Sequence, residues 1–182
     1  MLKTLSKFYL KSAGWQVEGE IPHDLRKYIL IAVPHTSGWD FPYSMAACFI
    51  REIPLRFMAK KELFRFPAGP VLKAMGGIPV NRGDRHNQMV KRMADLIHES
   101  DEIALLIPAE GTRKPVKKWK KGFYLIAQEA GVPIVPGYLD YKRKVAGFGP
   151  PFYPTGIYEN DIVEIKDFFK NVTPKNPEMF AY

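Results

Sequence analysis

A histidine and an aspartate five residues apart, His35 and Asp40, are the side chains of this sequence best suited to acid–base chemistry. Gly38 lies between them, so the loop can turn back and bring the carboxylate to the imidazole. A carboxylate on one ring nitrogen fixes the tautomer and increases the basicity of the other nitrogen, which makes a general base for a hydroxyl group. The alternative is structural: a loop histidine with satisfied hydrogen bonds, and an aspartate that caps the next helix.

The elements around this loop determine whether the pair can meet a substrate. Residues 28–33 are an apolar run rich in β-forming residues and predict a buried strand. A helix is predicted from residue 41 to about 51, with Pro42 tolerated in its first turn. The loop therefore lies at the carboxyl end of a strand, where ligand sites of open α/β sheets gather.

The rest of the chain alternates in the same way. Further strands are predicted at 55–59, 78–80, 103–107 and 134–139, and helices at 2–13, 85–99, 119–130 and 161–170. Residues 61–75 have a helical composition that Pro67 and Pro70 divide in two, and 142–154 read as a hairpin or irregular edge. The alternation predicts one α/β domain over residues 1–182, with a mostly parallel or mixed sheet flanked by helices.

Two other loops carry side chains suited to an anion. Residues 107–113 directly follow a predicted strand; Gly111 permits a tight backbone there, and Arg113 offers a planar fork of donors for a phosphate. A surface turn with a weak Glu–Arg ion pair is the simpler interpretation. Residues 76–83 place Arg82 just after another short strand, which taken alone is an ordinary turn.

Four blocks in this order resemble the glycerolipid acyltransferases, the superfamily of lysophosphatidic acid and glycerol-3-phosphate acyltransferases. They are His-(four residues)-Asp at 35–40, Gly-Ile-Pro-Val-Asn-Arg at 77–82, Glu-Gly-Thr-Arg at 110–113 and Val-Pro-Ile-Val-Pro at 132–136. The resemblance implies a glycerol-3-phosphate acyltransferase-like fold. It also implies transfer of a fatty acyl group from acyl-CoA or acyl-carrier protein to a hydroxyl of a lysophospholipid or glycerol-phosphate acceptor.

The resemblance also implies roles for individual residues. His35 would be the base on the acceptor hydroxyl, and Asp40 would orient it. The acceptor phosphate would be held by Arg82, Glu110, Gly111, Thr112 and Arg113. No cofactor or metal is expected, because a thioester is already activated and needs proton removal, oxyanion stabilisation and orientation.

The charge distribution suggests an anionic partner. Lysine and arginine number 27 against 19 acidic residues, a net charge of +8, and six of the nine residues at 113–121 are basic. This run, with Trp119 inside it, could face an anionic membrane, the phosphates of CoA, an acidic carrier protein or only solvent. The apolar side of the first helix (Leu2, Leu5, Phe8, Tyr9 and Ala13) could pack on the domain or lie on a membrane.

Other classes of protein fit less well. The single cysteine, Cys48, excludes an intramolecular disulfide, and the longest apolar runs are far shorter than the roughly 18 residues of a membrane-spanning helix. No nucleic-acid-binding motif is visible, so nucleic acid is not an expected partner. We expect a cytoplasmic protein at the inner face of the membrane; a non-catalytic lipid-binding module of the same fold is the alternative to an enzyme.

Overall fold

Seven strands form one mixed sheet in the computed structural model, which describes residues 2–81, 86–116 and 118–180. The strands are β1 (Gln16–Glu18), β2 (Lys27–Ala32), β3 (Leu55–Lys60), β4 (Gly77–Val80), β5 (Ile103–Pro108), β6 (Ile134–Asp140) and β7 (Val145–Phe148). Their spatial order is β1-β7-β6-β2-β5-β3-β4. The five strands from β6 to β4 are parallel to one another, whereas β7 pairs antiparallel with β6 and β1 runs parallel to β7.

Helices cover both faces of the sheet. They are α1 (Leu2–Ser12), α2 (Asp40–Ile50), α3 (Ala68–Ala74), α4 (His86–Glu99), α5 (Gly122–Ala130) and α6 (Tyr158–Phe168), with 3-10 turns at Lys61–Phe64 and Pro177–Met179. Residues of α1, α2 and α3 pack into one core cluster, and residues of α4, α5 and α6 pack into the other.

Strand β2 shows how the sheet positions the site. Ile29 and Ile31 point into the core cluster under α4–α6, while Tyr28 and Leu30 point into the cluster under α1–α3. Successive side chains of a strand face opposite sides, so a central strand must be apolar on both. Because β5 and β6 flank β2 and run parallel to it, the segments that follow these three strands meet at one edge of the sheet.

The predicted fold class is confirmed, and the parallel sheet carries one antiparallel hairpin, at residues 134–148. The segment 61–75 divides at its prolines, into a 3-10 turn and α3. Two details of the prediction were wrong. The helix expected from residue 119 begins at Gly122. The strand β1 was not predicted, because three residues are too few to show an alternation of apolar and polar side chains.

Helix α1 packs on α2 through only part of its predicted apolar side: Tyr9 and Ala13 of that side join Leu10 at the core cluster under α1–α3. Leu10 is buried and Tyr9 stacks on Tyr43, with ring centroids 5.6 Å apart. Leu2, Leu5 and Phe8 are exposed instead. Among the helices in the described part of the chain, none has both the length and the apolar composition required to cross a membrane.

Candidate active site

His35 and Asp40 are hydrogen-bonded to each other at the carboxyl edge of the sheet. The loop leaving β2 turns back so that Asp40, the first residue of α2, places its Oδ2 atom 3.2 Å from Nδ1 of His35. The same oxygen accepts the backbone N–H groups of Thr36 and Ser37, each at 2.9 Å. The carboxylate therefore holds the loop in shape as well as contacting the imidazole. A proton on Nδ1 that is donated to Asp40 leaves Nε2 of His35 as the basic nitrogen.

Tyr141 holds the other oxygen of the same carboxylate. This residue directly follows β6, and its hydroxyl donates a hydrogen bond of 2.7 Å to Oδ1 of Asp40. Its ring is fixed by an edge-on contact with Trp15, at a centroid distance of 4.9 Å, and its backbone N–H bonds to the carbonyl oxygen of Thr173. Sequence reasoning missed Tyr141, because nothing in its local pattern separates it from any tyrosine at a strand end.

These contacts set the protonation of the site. Burial alone would raise the pKa of Asp40, but hydrogen bonds from His35, the Ser37 N–H and Tyr141 outweigh it and hold that pKa below its ordinary value. Burial and the nearby Asp40 carboxylate both raise the pKa of Tyr141. Asp40 is therefore an anion and Tyr141 a neutral donor near neutral pH, which is the combination that a histidine base requires.

Glu110 supports the catalytic loop from behind. Its side chain is buried, with 3% exposure, and its carboxylate accepts the backbone N–H of His35 at 3.0 Å. Burial raises the pKa of Glu110 to about 7, although the hydrogen bond from His35 opposes that shift. The structure does not bring this carboxylate to the cavity surface, and a carboxylate would repel a phosphate. The structure thus places Glu110 against the backbone of His35 and not in the cavity lining, and its implied part in phosphate binding stays a prediction.

The remaining residues of that block do reach the site. Gly111, Thr112 and Arg113 line the same cavity as His35 and Asp40. The Arg113 guanidinium lies against Gly38, so close that a Cβ atom at Gly38 would stand 3.2 Å from Nη1 of Arg113. Gly111 has a φ of +69°, a left-handed conformation that favours glycine. Arg82, the other arginine implied in phosphate binding, lies outside the described residues.

A cavity of about 1050 Å³ extends from this pair of residues into the protein. It runs between the sheet and the helices on the α2 face, and its inner walls are apolar. Side chains along it include Cys48, Phe57, Leu63, Leu72, Leu106 and Phe148. Within the described ranges, no group of three or more histidine, cysteine, aspartate or glutamate side chains is placed to hold a metal ion.

The segment after α6 closes over the catalytic loop. The backbone N–H of Asn176 donates to the hydroxyl of Thr36 at 3.2 Å, and the side-chain amide of Asn176 donates to the carbonyl oxygen of Thr36 at 2.9 Å. Lys175 places its ammonium group 5.2 Å from the centre of the Trp39 ring. Residues separated by 140 positions in sequence thus fix the loop between His35 and Asp40.

The basic run differs from its predicted form at one position. Lys114, Lys118, Lys120 and Lys121 are exposed, whereas Lys117 lies outside the described residues. Trp119 has an exposure of only 6% and packs edge-on against Phe123 and Phe169. The expectation of an interfacial tryptophan was therefore wrong: this run offers charge to a partner without an aromatic anchor.

Comparison with known proteins agrees with this fold and site. The acyltransferase family profile matches residues 15–140, which include His35, Asp40, Glu110 and Arg113. The chain belongs to the acyltransferase family.

Two similar proteins carry the same, more specific name. The chain is 31% identical over 100 residues to the chloroplastic 1-acyl-sn-glycerol-3-phosphate acyltransferase BAT2 of Brassica napus, a match that covers 52% of this chain and 28% of that protein. It is 32% identical over 116 residues to a 1-acyl-sn-glycerol-3-phosphate acyltransferase of Chlamydomonas reinhardtii, covering 60% of this chain and 33% of the other. The chain thus matches a third or less of the length of these relatives.

Proposed function

We propose that this protein transfers a fatty acyl group from an acyl thioester to the hydroxyl of a lysophospholipid or a related glycerol-phosphate acceptor. The observation that carries the proposal is the His35–Asp40 pair at the opening of an apolar cavity, with Arg113 beside it. Family membership and the two related 1-acyl-sn-glycerol-3-phosphate acyltransferases support it.

His35 acts as the general base in this mechanism. Its Nε2 atom takes the proton of the acceptor hydroxyl while the oxygen attacks the thioester carbonyl, and the imidazolium is stabilised by the Asp40 carboxylate. As the carbon–oxygen bond forms and the carbon–sulfur bond breaks, the same nitrogen returns the proton to the leaving thiolate. A base of this kind contributes about 10²–10⁴-fold to the rate.

Transfer is direct, without a covalent acyl-enzyme. Cys48 lines the cavity, but it is fully buried in α2 and burial raises the pKa of its thiol to about 12, so it does not supply a thiolate. The Ser37 hydroxyl accepts the backbone N–H of Trp39 and has no base placed against it among the described contacts. Both substrates must therefore be bound together when the acyl group moves.

The acyl chain and the acceptor phosphate bind in different parts of the site. The cavity takes an acyl chain, because most of its wall is apolar. Thr112 and Arg113 at the opening take the acceptor phosphate, with Arg82 proposed as a second arginine. The donor is acyl-CoA or acyl-carrier protein, and the exposed lysines beside Arg113 offer positive charge to the phosphates of either.

The lipid acceptor also implies a location. We place the protein in the cytoplasm, peripherally associated with the inner face of the membrane, in keeping with its net charge of +8. Association of this kind is electrostatic and weakens with salt.

The decisive experiment is a turnover assay with purified protein, acyl-CoA or acyl-carrier protein, and a panel of lysolipids. Thiol release should require an acceptor and should disappear in His35→Ala, while His23→Ala, a change at an exposed histidine away from the site, retains it. Lipid binding without acceptor-dependent thiol release from either donor would favour the non-catalytic module. A folded His35→Ala protein with normal rates would refute the base.

A further inference from the structure

The segment that borders the cavity opening exposes large apolar side chains beside basic ones. Leu63, Phe66 and Val71 are exposed, and Phe66 is the extreme case at 89%. They lie on the 3-10 turn Lys61–Phe64, on α3 and on the short link between the two. A phenylalanine side chain so exposed to water contributes little to the stability of this fold. Exposed apolar side chains grouped on one segment are typical of a surface that binds a partner.

The segment is nonetheless firmly attached to the sheet. Phe64 packs against Gly77 at the start of β4, where a Cβ atom would stand 3.0 Å from the ring. Leu72 and Met75 join the core cluster under α1–α3. The element therefore presents Leu63, Phe66 and Val71 outward from a fixed base.

The charge around these exposed apolar residues indicates which kind of partner the segment binds. Residues 55–75 carry five basic side chains and one acidic one, Glu62. All five are exposed, and four of them, Lys60, Lys61, Arg65 and Lys73, lie close in sequence to the apolar group. None of these four forms an ion pair with any residue that the structure describes. Apolar side chains ringed by unpaired lysine and arginine suit the interface of an anionic bilayer.

We infer that Lys60, Lys61, Leu63, Arg65, Phe66, Val71 and Lys73, which we name the α3 patch, dock the protein on an anionic lipid bilayer. Lys60 and Leu63 also line the cavity, so the patch is continuous with the cavity walls. Docking through it brings that cavity to the lipid surface. The inference rests in part on the proposed function, which supplies the reason for a lipid to enter there.

Other exposed apolar residues lack this combination. Val163 on α6 is 66% exposed, but Glu164 and Asp167 follow it closely, and α6 packs on the opposite face of the sheet. The lysines after Arg113 carry charge, but Trp119 among them is buried. The exposed residues Leu2, Leu5 and Phe8 of α1 do not line the cavity, whereas the α3 patch combines three exposed apolar side chains, four basic groups without ion pairs among the described residues, and the cavity opening.

The test is sedimentation with vesicles of mixed phosphatidylglycerol and phosphatidylcholine, and with vesicles of phosphatidylcholine alone. Phe66→Glu should weaken binding to the anionic vesicles about tenfold or more, since it replaces an apolar ring that docking would bury in the bilayer by an anion. Lys61→Ala and Arg65→Ala should each weaken it up to about fivefold. Val163→Glu is the matched control, another exposed apolar residue changed in the same way, and should bind like the unmodified protein.

Two results would overturn the inference. One is equal vesicle binding by the unmodified protein and Phe66→Glu. The other is no vesicle binding at low salt together with capture of acyl-carrier protein that Phe66→Glu abolishes, which would make the patch a protein-binding surface.

Turnover with a short-chain, monomeric acceptor separates this inference from the proposed function. Phe66→Glu should keep that activity, because Phe66 does not line the cavity of His35. Vesicle binding through Phe66 without turnover of any acceptor would refute the proposed function and leave the docking surface standing.

Discussion

Removing the hydroxyl of Tyr141 should show how much the orientation of Asp40 contributes to stability and to kcat. Tyr141→Phe deletes one hydrogen bond of 2.7 Å to Oδ1 of a carboxylate with 4% exposure, and leaves the three contacts to Oδ2 in place. A hydrogen bond to a charged group contributes about 1.5–3 kcal/mol, so the free energy of unfolding should fall by about that amount. The ring and its packing against Trp15 remain, which confines the change to one atom.

The catalytic effect follows from the same geometry. With Oδ1 unpaired the carboxylate is held by its Oδ2 contacts alone, so its position relative to Nδ1 of His35 is less tightly fixed. If the free energy of the Tyr141–Asp40 hydrogen bond serves to position the base, its loss should lower kcat roughly ten- to a hundredfold. This follows from about 1.4 kcal/mol for each factor of ten in rate. The acceptor KM should stay unchanged, because Tyr141 does not line the cavity.

Steady-state kinetics and urea unfolding of Tyr141→Phe and Tyr43→Phe provide the measurement and its control. Tyr43 belongs to the same aromatic group, 6.1 Å from Tyr141 between ring centroids, and stacks on Tyr9, while the oxygen Oδ1 of Asp40 accepts its hydrogen bond from Tyr141. Tyr43→Phe should therefore keep kcat. Equal kcat values in both variants and the unmodified protein would show that Asp40 is oriented adequately by Oδ2 alone and would refute the reasoning.

Substitutions at three further positions test the neighbouring parts of the site. The pKa of Glu110 is raised from 4.5 to about 7 in the folded protein, so its proton stabilises the fold fully below about pH 4.5 and is lost as pH rises through 7. Glu110→Gln should remove about 3 kcal/mol of that pH dependence from urea unfolding followed between pH 5 and 8; an unchanged profile contradicts the burial argument. Arg113→Ala should raise the acceptor KM with little change in kcat, and Arg113→Lys should restore only part of the loss, because lysine lacks the bidentate fork; equal acceptor kinetics in all three proteins would remove Arg113 from the phosphate site. Gly111→Ala should destabilise the protein by about 1 kcal/mol or more, since its φ is +69° and the added Cβ would stand 2.8 Å from Lys120; a thermal melt that does not move would show that the loop relaxes.

Local features of this molecule could be predicted from sequence, and long-range ones could not. His35 and Asp40 were found because both belong to one loop, where spacing and a glycine are visible in the sequence. The proximity of Arg113 to that loop could be predicted only through the resemblance to a family. Neither segment by itself indicates that β2 and β5 are neighbours in the sheet. Strand positions followed from apolar runs, because a buried central strand must be apolar on both faces.

Burial and strand order explain what the sequence could not show. Glu110 is a buried acceptor for a backbone N–H, an environment that its family block does not indicate. Trp119 lies among lysines in sequence and yet points into the core. Tyr141 meets Asp40 across 101 residues, a contact that depends on β6 lying next to β2. Residue type and spacing specify what a side chain can do, whereas tertiary packing decides which groups it meets.

The contact between Asn176 and Thr36 has a consequence for how the protein becomes active during synthesis. A ribosome completes all seven strands by residue 148, and the residues matched by the family profile by residue 140. Chain growth must continue through Asn176 before the loop of His35 and Asp40 receives its last two hydrogen bonds. A nascent chain that already has all seven strands therefore still lacks these two hydrogen bonds, and the loop of His35 and Asp40 gains them only after residue 176 has left the exit tunnel.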